Sequence, residues 1–451
     1  MYNIQNILKN RVLLSSLLAI TGIVLCFQNL VFYIRPNTSV YVFLAIAPFL
    51  FTIRTGERGL RYAWTSMAFV VLYFFLKMQL LYFLAFASFL LFILESNLGK
   101  VNALPLFIIL LISPYSSFIF NVFGFPTRLF LTEQAAYFLS FFNEDVTCSG
   151  NNILIHNQSF SVDAACMGLT MVGYGFASTL LFIHSFERKF SKRLKFYSVL
   201  TILMLSAAFI VLSNLFRIVL IVLVQSKPET ASHEIIGLLC FLVYCLAPMY
   251  FISKWIIQYS PTYLEKTKVK STPNAKLIVI LSLVLISSLA YFNFNRGQYR
   301  NIQLDSKSNQ IVLEGFTKSL TKEKVIQFEN EQALIYIKPS CSFFAPDHSP
   351  TICWKGNGYE FKNIQTSKVE NNLIYTAELV KDDDILQTAW WFDNGKEKTI
   401  SQLDWRWKTA CGEEPFRLVN ITSYSKEVLE EQILEMMDRD LFGGLDKKSK
   451  S

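Results

Sequence analysis

The chain has 451 residues, 52% of them hydrophobic, 15% aromatic and only 17% charged, with 41 phenylalanines and a mean hydropathy of +0.35. A soluble protein carries nearer about 25% charged residues, so a wholly cytosolic enzyme is not expected, and intrinsic disorder and a small disulfide scaffold are excluded, 8 Cys over this length being ordinary usage. Charge divides the chain: residues 1–294 hold 21 Lys+Arg against 10 Asp+Glu, net +11, and residues 295–451 hold 21 against 24, net −3. The positive excess belongs to the apolar part, where it sorts into loops, and no nucleic-acid partner is expected.

Apolar runs of spanning or near-spanning length recur at about 12–34, 38–53, 62–76, 79–94, 101–120, 167–186, 196–224, 235–257 and 277–294. The second, third and fourth are short. Lys9 and Arg11 precede the first run with no small-residue cleavage site after it, which predicts a retained anchor rather than a signal peptide. Placing the N-terminus in the cytoplasm puts Arg54, Arg58 and Arg61 inside, together with Arg188–Lys195 and Lys266, Lys268, Lys270 and Lys276. The alternate loops, around Arg35-Pro36-Asn37, Lys77-Met78-Gln79 and 225–234, are poor in Lys and Arg, as the positive-inside rule requires.

Two larger pieces are then expected outside. Residues 121–166 open with an amphipathic pattern at Arg128–Phe142 and continue as two strand-like runs, Ile153–His156 and Phe160–Val162, joined by Asn157-Gln158-Ser159. The tail after about residue 295 alternates strand-like runs (Ile311–Leu313, Ala333–Ile337, Leu373–Leu379, Thr388–Phe392, Arg417–Ile421) with polar turns. It ends in a helical pattern, Leu429, Ile433, Met436 and Met437, stopped by Gly443-Gly444. There is no internal repeat or low-complexity segment. The expected fold is a polytopic α-helical membrane protein of about eight or nine spans over 1–294, followed by a soluble α+β domain over 295–451.

Candidate chemistry collects on the outer side. Cys166, in Asp163-Ala164-Ala165-Cys166-Met167-Gly168, stands where the outer loop enters the sixth run, and a helix N-terminus favours a thiolate. The alternative is a small apolar side chain packed among helices. Arg217 interrupts the seventh run, with Asn214 three residues earlier on the same helix face. At that depth it either faces a wet interior or snorkels to the outer headgroups across seven mostly apolar residues. His233 precedes the eighth run and is either a solvated loop residue or a base for the thiol. His156, His184 and His348 fall in the strand pair, the inner side and the tail. No serine-centred motif or phosphate loop competes, and Cys341, Cys353 and Cys411 lack the paired spacing of a zinc site, so neither metal nor cofactor is expected.

The run 146–169, then Asn214-Leu215-Phe216-Arg217-Ile218, then His233 resembles the exosortase/archaeosortase family over about residues 60–260. These are polytopic membrane cysteine proteases or transpeptidases. The resemblance implies Cys166 as nucleophile, Arg217 within an Asn-x-x-Arg motif with Asn214 on the substrate side, and His233 as third residue. One departure is Met167, where the family commonly has Ser after Cys, so any role of that hydroxyl is absent or supplied elsewhere. In the tail, His348-Ser349-Pro350-Thr351-Ile352-Cys353 resembles the His-x-Pro-x-x-Cys signature of the periplasmic domain that accompanies exosortases, and the fused architecture resembles the exosortase N type. Cys353 is then either catalytic, buried, or in a disulfide with Cys341, the compartment being oxidising.

The implied partners are the bilayer and exported proteins bearing a C-terminal sorting signal: a short motif, a transmembrane helix and a basic end. Oligomeric state has no signature. The rival classes are a polytopic transporter, which usually shows midplane polar groups and repeat symmetry, and a non-enzymatic scaffold for surface-polymer or protein export. Neither of the transporter's marks is evident.

Overall fold

Long apolar stretches without interior glycine pairs or repeated prolines fold as helices, and the computed structural model shows one for nearly every run. It describes residues 11–34, 38–54, 57–76, 78–113, 115–155, 158–162, 169–226, 230–260, 274–294, 310–321, 325–338, 350, 354, 358–439 and 442. The helices are α1 (Arg11–Tyr33), α2 (Thr38–Leu50), α3 (Arg61–Leu76), α4 (Gln79–Asn97), α5 (Leu104–Ile112) and α6 (Tyr115–Ser140). They continue as α7 (Leu169–Lys189), α8 (Phe196–Val224), α9 (Ala231–Tyr259) and α10 (Ala275–Phe294).

Four of these are long and apolar enough to cross a bilayer: α4, α8, α9 and α10. The 13 residues of α2 and 16 of α3 extend about 20 and 24 Å at about 1.5 Å per residue, short of a hydrocarbon core of about 30 Å. Among the described residues four of the expected spans are of full length, with shorter apolar helices beside them. The run at 101–120 is also not one helix. It divides into α5, ending at Ile112, and α6, beginning at Tyr115, and the intervening sequence holds a proline, a residue type that cannot continue a helical ladder. The amphipathic stretch Arg128–Phe142 is in turn the continuation of α6.

Two apolar clusters hold the helices. The first gathers Tyr73, Tyr82, Phe89, Phe92, Leu285 and their neighbours from α1, α3, α4 and α10 around α4. The second joins α2, α5, α7, α8 and α9 through residues such as Phe43, Phe107, Leu180, Ile202 and Met249. Small residues let α7 approach its neighbours: a Cβ on Gly175 would lie 2.6 Å from Ile210 Cδ1. Thr179 and Ser206 share a buried hydrogen bond of 2.9 Å between α7 and α8.

Charges at the loops close the helix ends. Glu95 is buried and accepts from Arg61 Nη2 at 2.7 Å, from Arg61 Nε at 3.1 Å and from the Val101 N–H at 3.1 Å. It thereby joins α3 and α4 to the short pair β1 (Ile53–Arg54) and β2 (Lys100–Val101). Lys192 Nζ donates to the carbonyls of Gln258 and Ser260, so the loop after α7 caps the carbonyl end of α9.

The segment after α6 forms a small antiparallel sheet, β3 (Thr147–Ser149), β4 (Asn152–Ile155) and β5 (Gln158–Ser161), with Ile153 opposite Phe160. Two strands were expected there and three are present.

The tail folds as an antiparallel sheet: β6 (Thr317–Leu320), β7 (Ile326–Glu329), β8 (Ala333–Lys338), β13 (Arg417–Ser423), β11 (Asp384–Asp393), β10 (Asn372–Lys381) and β9 (Glu360–Val369), in that spatial order. The short β12 (Lys398–Thr399) pairs β11. Helix α12 (Lys426–Asp438) buries Leu429, Ile433, Met436 and Met437 on one face, against Ile337, Trp391, Val419 and Ile421. On the other face α11 (Gln402–Ala410) stacks Trp405 on Phe392 at 5.4 Å. Each helix starts at a serine cap, Ser401 accepting from the Asp404 N–H and Ser425 from the Val428 N–H. Ile311–Leu313 is not a strand: Ile311 and Leu313 are buried in the core from an irregular stretch. Gly443-Gly444 lies outside the described residues. By contacts the chain divides into two compact units, Met1–Phe120 with Gly168–Arg217 and Gln225–Asn301, and Asn121–Met167 with Ile218–Val224 and Ile302–Ser451.

Asp393 ends β11 fully buried. Burial pushes its carboxyl above the usual carboxylate range, against the lowering effect of the Gly395 N–H at 2.7 Å and of Lys398 at 3.6 Å. A raised folded pKa stabilises the fold fully below the unfolded value of about 3.8, and that contribution is lost as pH rises through the folded value. Asp393→Asn should flatten this loss on the acid side of neutrality. The check is the denaturant midpoint of the C-terminal domain against pH, followed by tryptophan fluorescence.

Candidate active site

Helices α8 and α9 are consecutive, with six residues between them in the sequence. Gln225, in the left-handed region at φ 53°, ends α8. Ser226 Oγ lies 2.7 Å from Ser232 Oγ and 3.3 Å from Thr230 Oγ1, and Thr230 lies 3.0 Å from Ser232. The His233 N–H donates to the Thr230 carbonyl at 3.0 Å, starting α9. A knot of hydroxyls thus fixes where α9 begins, immediately before the histidine.

The first turns of α9 bury His233, Gly237 and Cys240, at i, i+4 and i+7, while Ile235, Leu238 and Leu239 are exposed. That spacing is one helical face. Arg217 of α8 comes to the same face. A Cβ placed on Gly237 would lie 2.9 Å from Arg217 Nε, 3.0 Å from Cζ and 3.3 Å from Nη2. The guanidinium therefore rests directly on the Gly237 backbone, and a side chain at this position would displace it. His233 is one turn away, about 6 Å along the axis at about 1.5 Å per residue.

Farther along, Phe216 stacks on Tyr244 with ring centres 4.2 Å apart and planes at 15°. Tyr244 belongs to a π-turn, Leu242–Leu246, closed by an Ala247 N–H to Leu242 carbonyl bond. Its sequence cause is Pro248, which has no N–H for the Tyr244 carbonyl. Single π-turns of this kind frequently mark functional sites. They widen the helix by one residue, and here the widened turn supplies the ring on which Phe216 packs.

Arg217 is half-buried, and its Nε is enclosed and meets no hydrogen-bond acceptor among the described residues. Asn214 is half-buried one turn earlier on α8. Of the sequence-predicted residues, Arg217, Asn214 and His233 are thus carried by one pair of consecutive helices, with Arg217 brought to the His233 face. Cys166 lies outside the described residues, α7 beginning three residues later at Leu169. Cys341, His348 and Cys353 also lie outside them. Gly237, Tyr244 and the π-turn escaped the sequence reading. Pro248 inside an apolar span was the available signal for the π-turn, whereas Gly237 has meaning only once α8 is beside it.

Residues 74–250 match the family model of the transmembrane exosortase, Exosortase_EpsH. The exosortase resemblance of the sequence is established over that stretch, which contains Arg217, His233 and Gly237. The C-terminal domain lies outside the match. No curated protein and no solved structure matches the chain.

Gly237→Ala is the sharp test of this geometry. Alanine favours the helix by up to about 1 kcal/mol over glycine, and the atoms it would strike belong to the movable end of a long side chain. The variant should reach the membrane at wild-type level while the rate of any reaction at this site falls about tenfold to a hundredfold, the usual cost of displacing a positioned group by about 1 Å. An unchanged rate would show that the seat of the guanidinium is immaterial.

Proposed function

We propose that the chain is a membrane cysteine protease or transpeptidase that cleaves the C-terminal sorting signals of exported proteins at the outer face of the bacterial inner membrane. The observation that carries this reading is Arg217 seated on Gly237, one turn from His233, within the exosortase-matched stretch. A guanidinium amid apolar helices whose enclosed Nε meets no acceptor among the described residues is suited to receive a carboxylate or a developing oxyanion.

In the mechanism, the Cys166 thiolate attacks the carbonyl carbon of the scissile peptide, forming a C–S bond and moving the π-electrons onto oxygen. Arg217 donates to that oxyanion, a role worth about 2.7–4 kcal/mol in comparable sites. Collapse breaks the C–N bond, and His233 gives its proton to the departing amine, leaving a thioester. His233 then takes the proton of an incoming amine or water, which attacks the thioester and releases the thiolate. Asn214, one turn from Arg217, contacts the substrate. The substrate is a protein held in the bilayer by its terminal helix, so its cleavage site arrives at the membrane surface. Loop charge supports a cytoplasmic N-terminus and a periplasmic C-terminal domain.

Cys166→Ala is expected to abolish processing while the protein accumulates normally in the membrane, read by immunoblotting of a sorting-signal substrate. Processing at the wild-type rate would remove the nucleophile.

For Arg217, lysine keeps the charge but loses the forked donor plane. Arg217→Lys should insert normally yet lose most thioester formation, and Arg217→Ala should be worse. Single-turnover assays at matched membrane levels measure both. A snorkelling residue predicts a silent Arg217→Lys, and wild-type rates for that variant would return Arg217 to a structural role.

A further inference from the structure

Strand β9 is the last in the spatial order of the C-terminal sheet, an edge with unpaired backbone groups. Its pairing with β10 slips: Gln365 faces Thr376 and Lys362 faces Glu378, so Asn363 and Ile364 together oppose Ala377. This is a β-bulge, with Asn363 left-handed at φ 51°. The Asn363 amide is held by donation to Glu378 Oε2. A bulge re-aims the groups it carries, and these are aimed at the outer hairpin.

The hairpin turn Gly150-Asn151-Asn152 meets that bulge. The Asn151 N–H donates to the Ile364 carbonyl at 3.4 Å, and Asn152 Nδ2 donates to Asn363 Oδ1 at 2.6 Å. Gly150 has φ 61°, and a Cβ there would lie 2.3 Å from the Ile364 oxygen, so the two backbones touch where only glycine fits. The same region receives α6: Phe125 packs edge-on against Tyr375 at 4.9 Å, in the cluster that contains Ile364 and Ala377.

Asn151 also faces the other way. Its carbonyl accepts from the Val162 N–H at 2.8 Å, and its Nδ2 donates to Ser161 Oγ at 3.1 Å and to the Val162 carbonyl at 3.3 Å. Asn151 and Val162 are both buried. Val162 is where the chain leaves β5, four residues before Cys166. The bulge, Asn151 and Val162 form one continuous chain of bonds that ends four residues before the cysteine in sequence.

We propose that the C-terminal domain positions the segment carrying Cys166: its bulged edge holds the hairpin turn, and Asn151 passes that restraint to Val162. Asn151, Asn152 and Asn363 are positioning residues. This rests on Cys166 being the nucleophile. The domain then sets how often the thiol is correctly presented without contacting the reacting atoms, so its loss lowers the rate at saturating substrate more than it alters binding.

The test is a double-mutant cycle in the full-length protein in membranes, using Asn152→Ala and Asn363→Gly, glycine retaining the left-handed backbone that alanine would strain. Each single variant should form the thioester about tenfold more slowly at saturating substrate, with KM nearly unchanged. The double variant should be no slower than the slower single, because both remove the same hydrogen bond. Wild-type rates in both singles, a loss expressed only in KM, or fully multiplicative losses in the double would overturn the positioning role. Cys166→Ala, run alongside, separates the two failures: if it is inactive while the asparagine variants are normal, only the positioning role falls, whereas normal processing by Cys166→Ala removes the nucleophile itself.

Discussion

The guanidinium of Arg217 between two apolar helices is the constraint around which the membrane part is organised. A charge at that depth is costly wherever it is not enclosed by groups that accept it. Here the enclosure begins with an omission: Gly237 contributes no side chain, and its backbone becomes the surface on which the guanidinium lies. Keeping α8 and α9 in that relation requires a fixed turn and a fixed crossing. The Ser226, Thr230 and Ser232 hydroxyls tie the end of α8 to the start of α9, and Phe216 on Tyr244 holds the crossing. The π-turn is the local irregularity that lets Tyr244 be there. His233 follows from the same geometry, since a helix that brings Gly237 to Arg217 brings position 233 to that face as well.

A second buried charge shows what a purely structural one looks like. Glu95 is buried as deeply as any carboxylate of the membrane part among the described residues, and three donors from Arg61 and Val101 converge on its Oε2. Pairing of that kind offsets the desolvation of the carboxylate and pins a loop, leaving nothing for a ligand to take. Arg217 differs because its Nε is enclosed and meets no acceptor among the described residues. Charge alone does not distinguish the two, and loop statistics treat Arg61 as one more positive residue. The partners distinguish them.

The C-terminal sheet poses the problem common to open sheets, an exposed edge. Natural proteins cover such edges or bend them away. In this protein the β9 edge is bulged and then met by the hairpin turn at Gly150, so the same feature blunts the edge and makes a specific attachment. Attachment through a short asparagine pair and one backbone bond is directional. It fixes the hairpin more narrowly than apolar contact alone would, while Phe125 in the Tyr375 cluster supplies the apolar part.

The sequence by itself determined the elements whose signal is periodic or compositional. Apolar runs marked the helices, alternation marked β8, β10, β11 and β13, and the i, i+4, i+7 spacing of Leu429, Ile433 and Met436 marked α12. It also singled out Arg217, since an ionisable residue inside an apolar run is anomalous from composition alone, and Asn214 through helical spacing. It missed β9, whose polar residues mask the alternation on a strand open to solvent. It read Ile311–Leu313 as a strand because burial, not pairing, makes those residues apolar. Whether α5 and α6 are one helix or two rested on a single proline, a local signal diluted within a long apolar window. Tertiary structure alone decided the role of Gly237 and of the Gly150 turn. In both, the informative quantity is a distance between backbones remote in sequence, and a glycine leaves no trace of which neighbour its missing side chain makes room for.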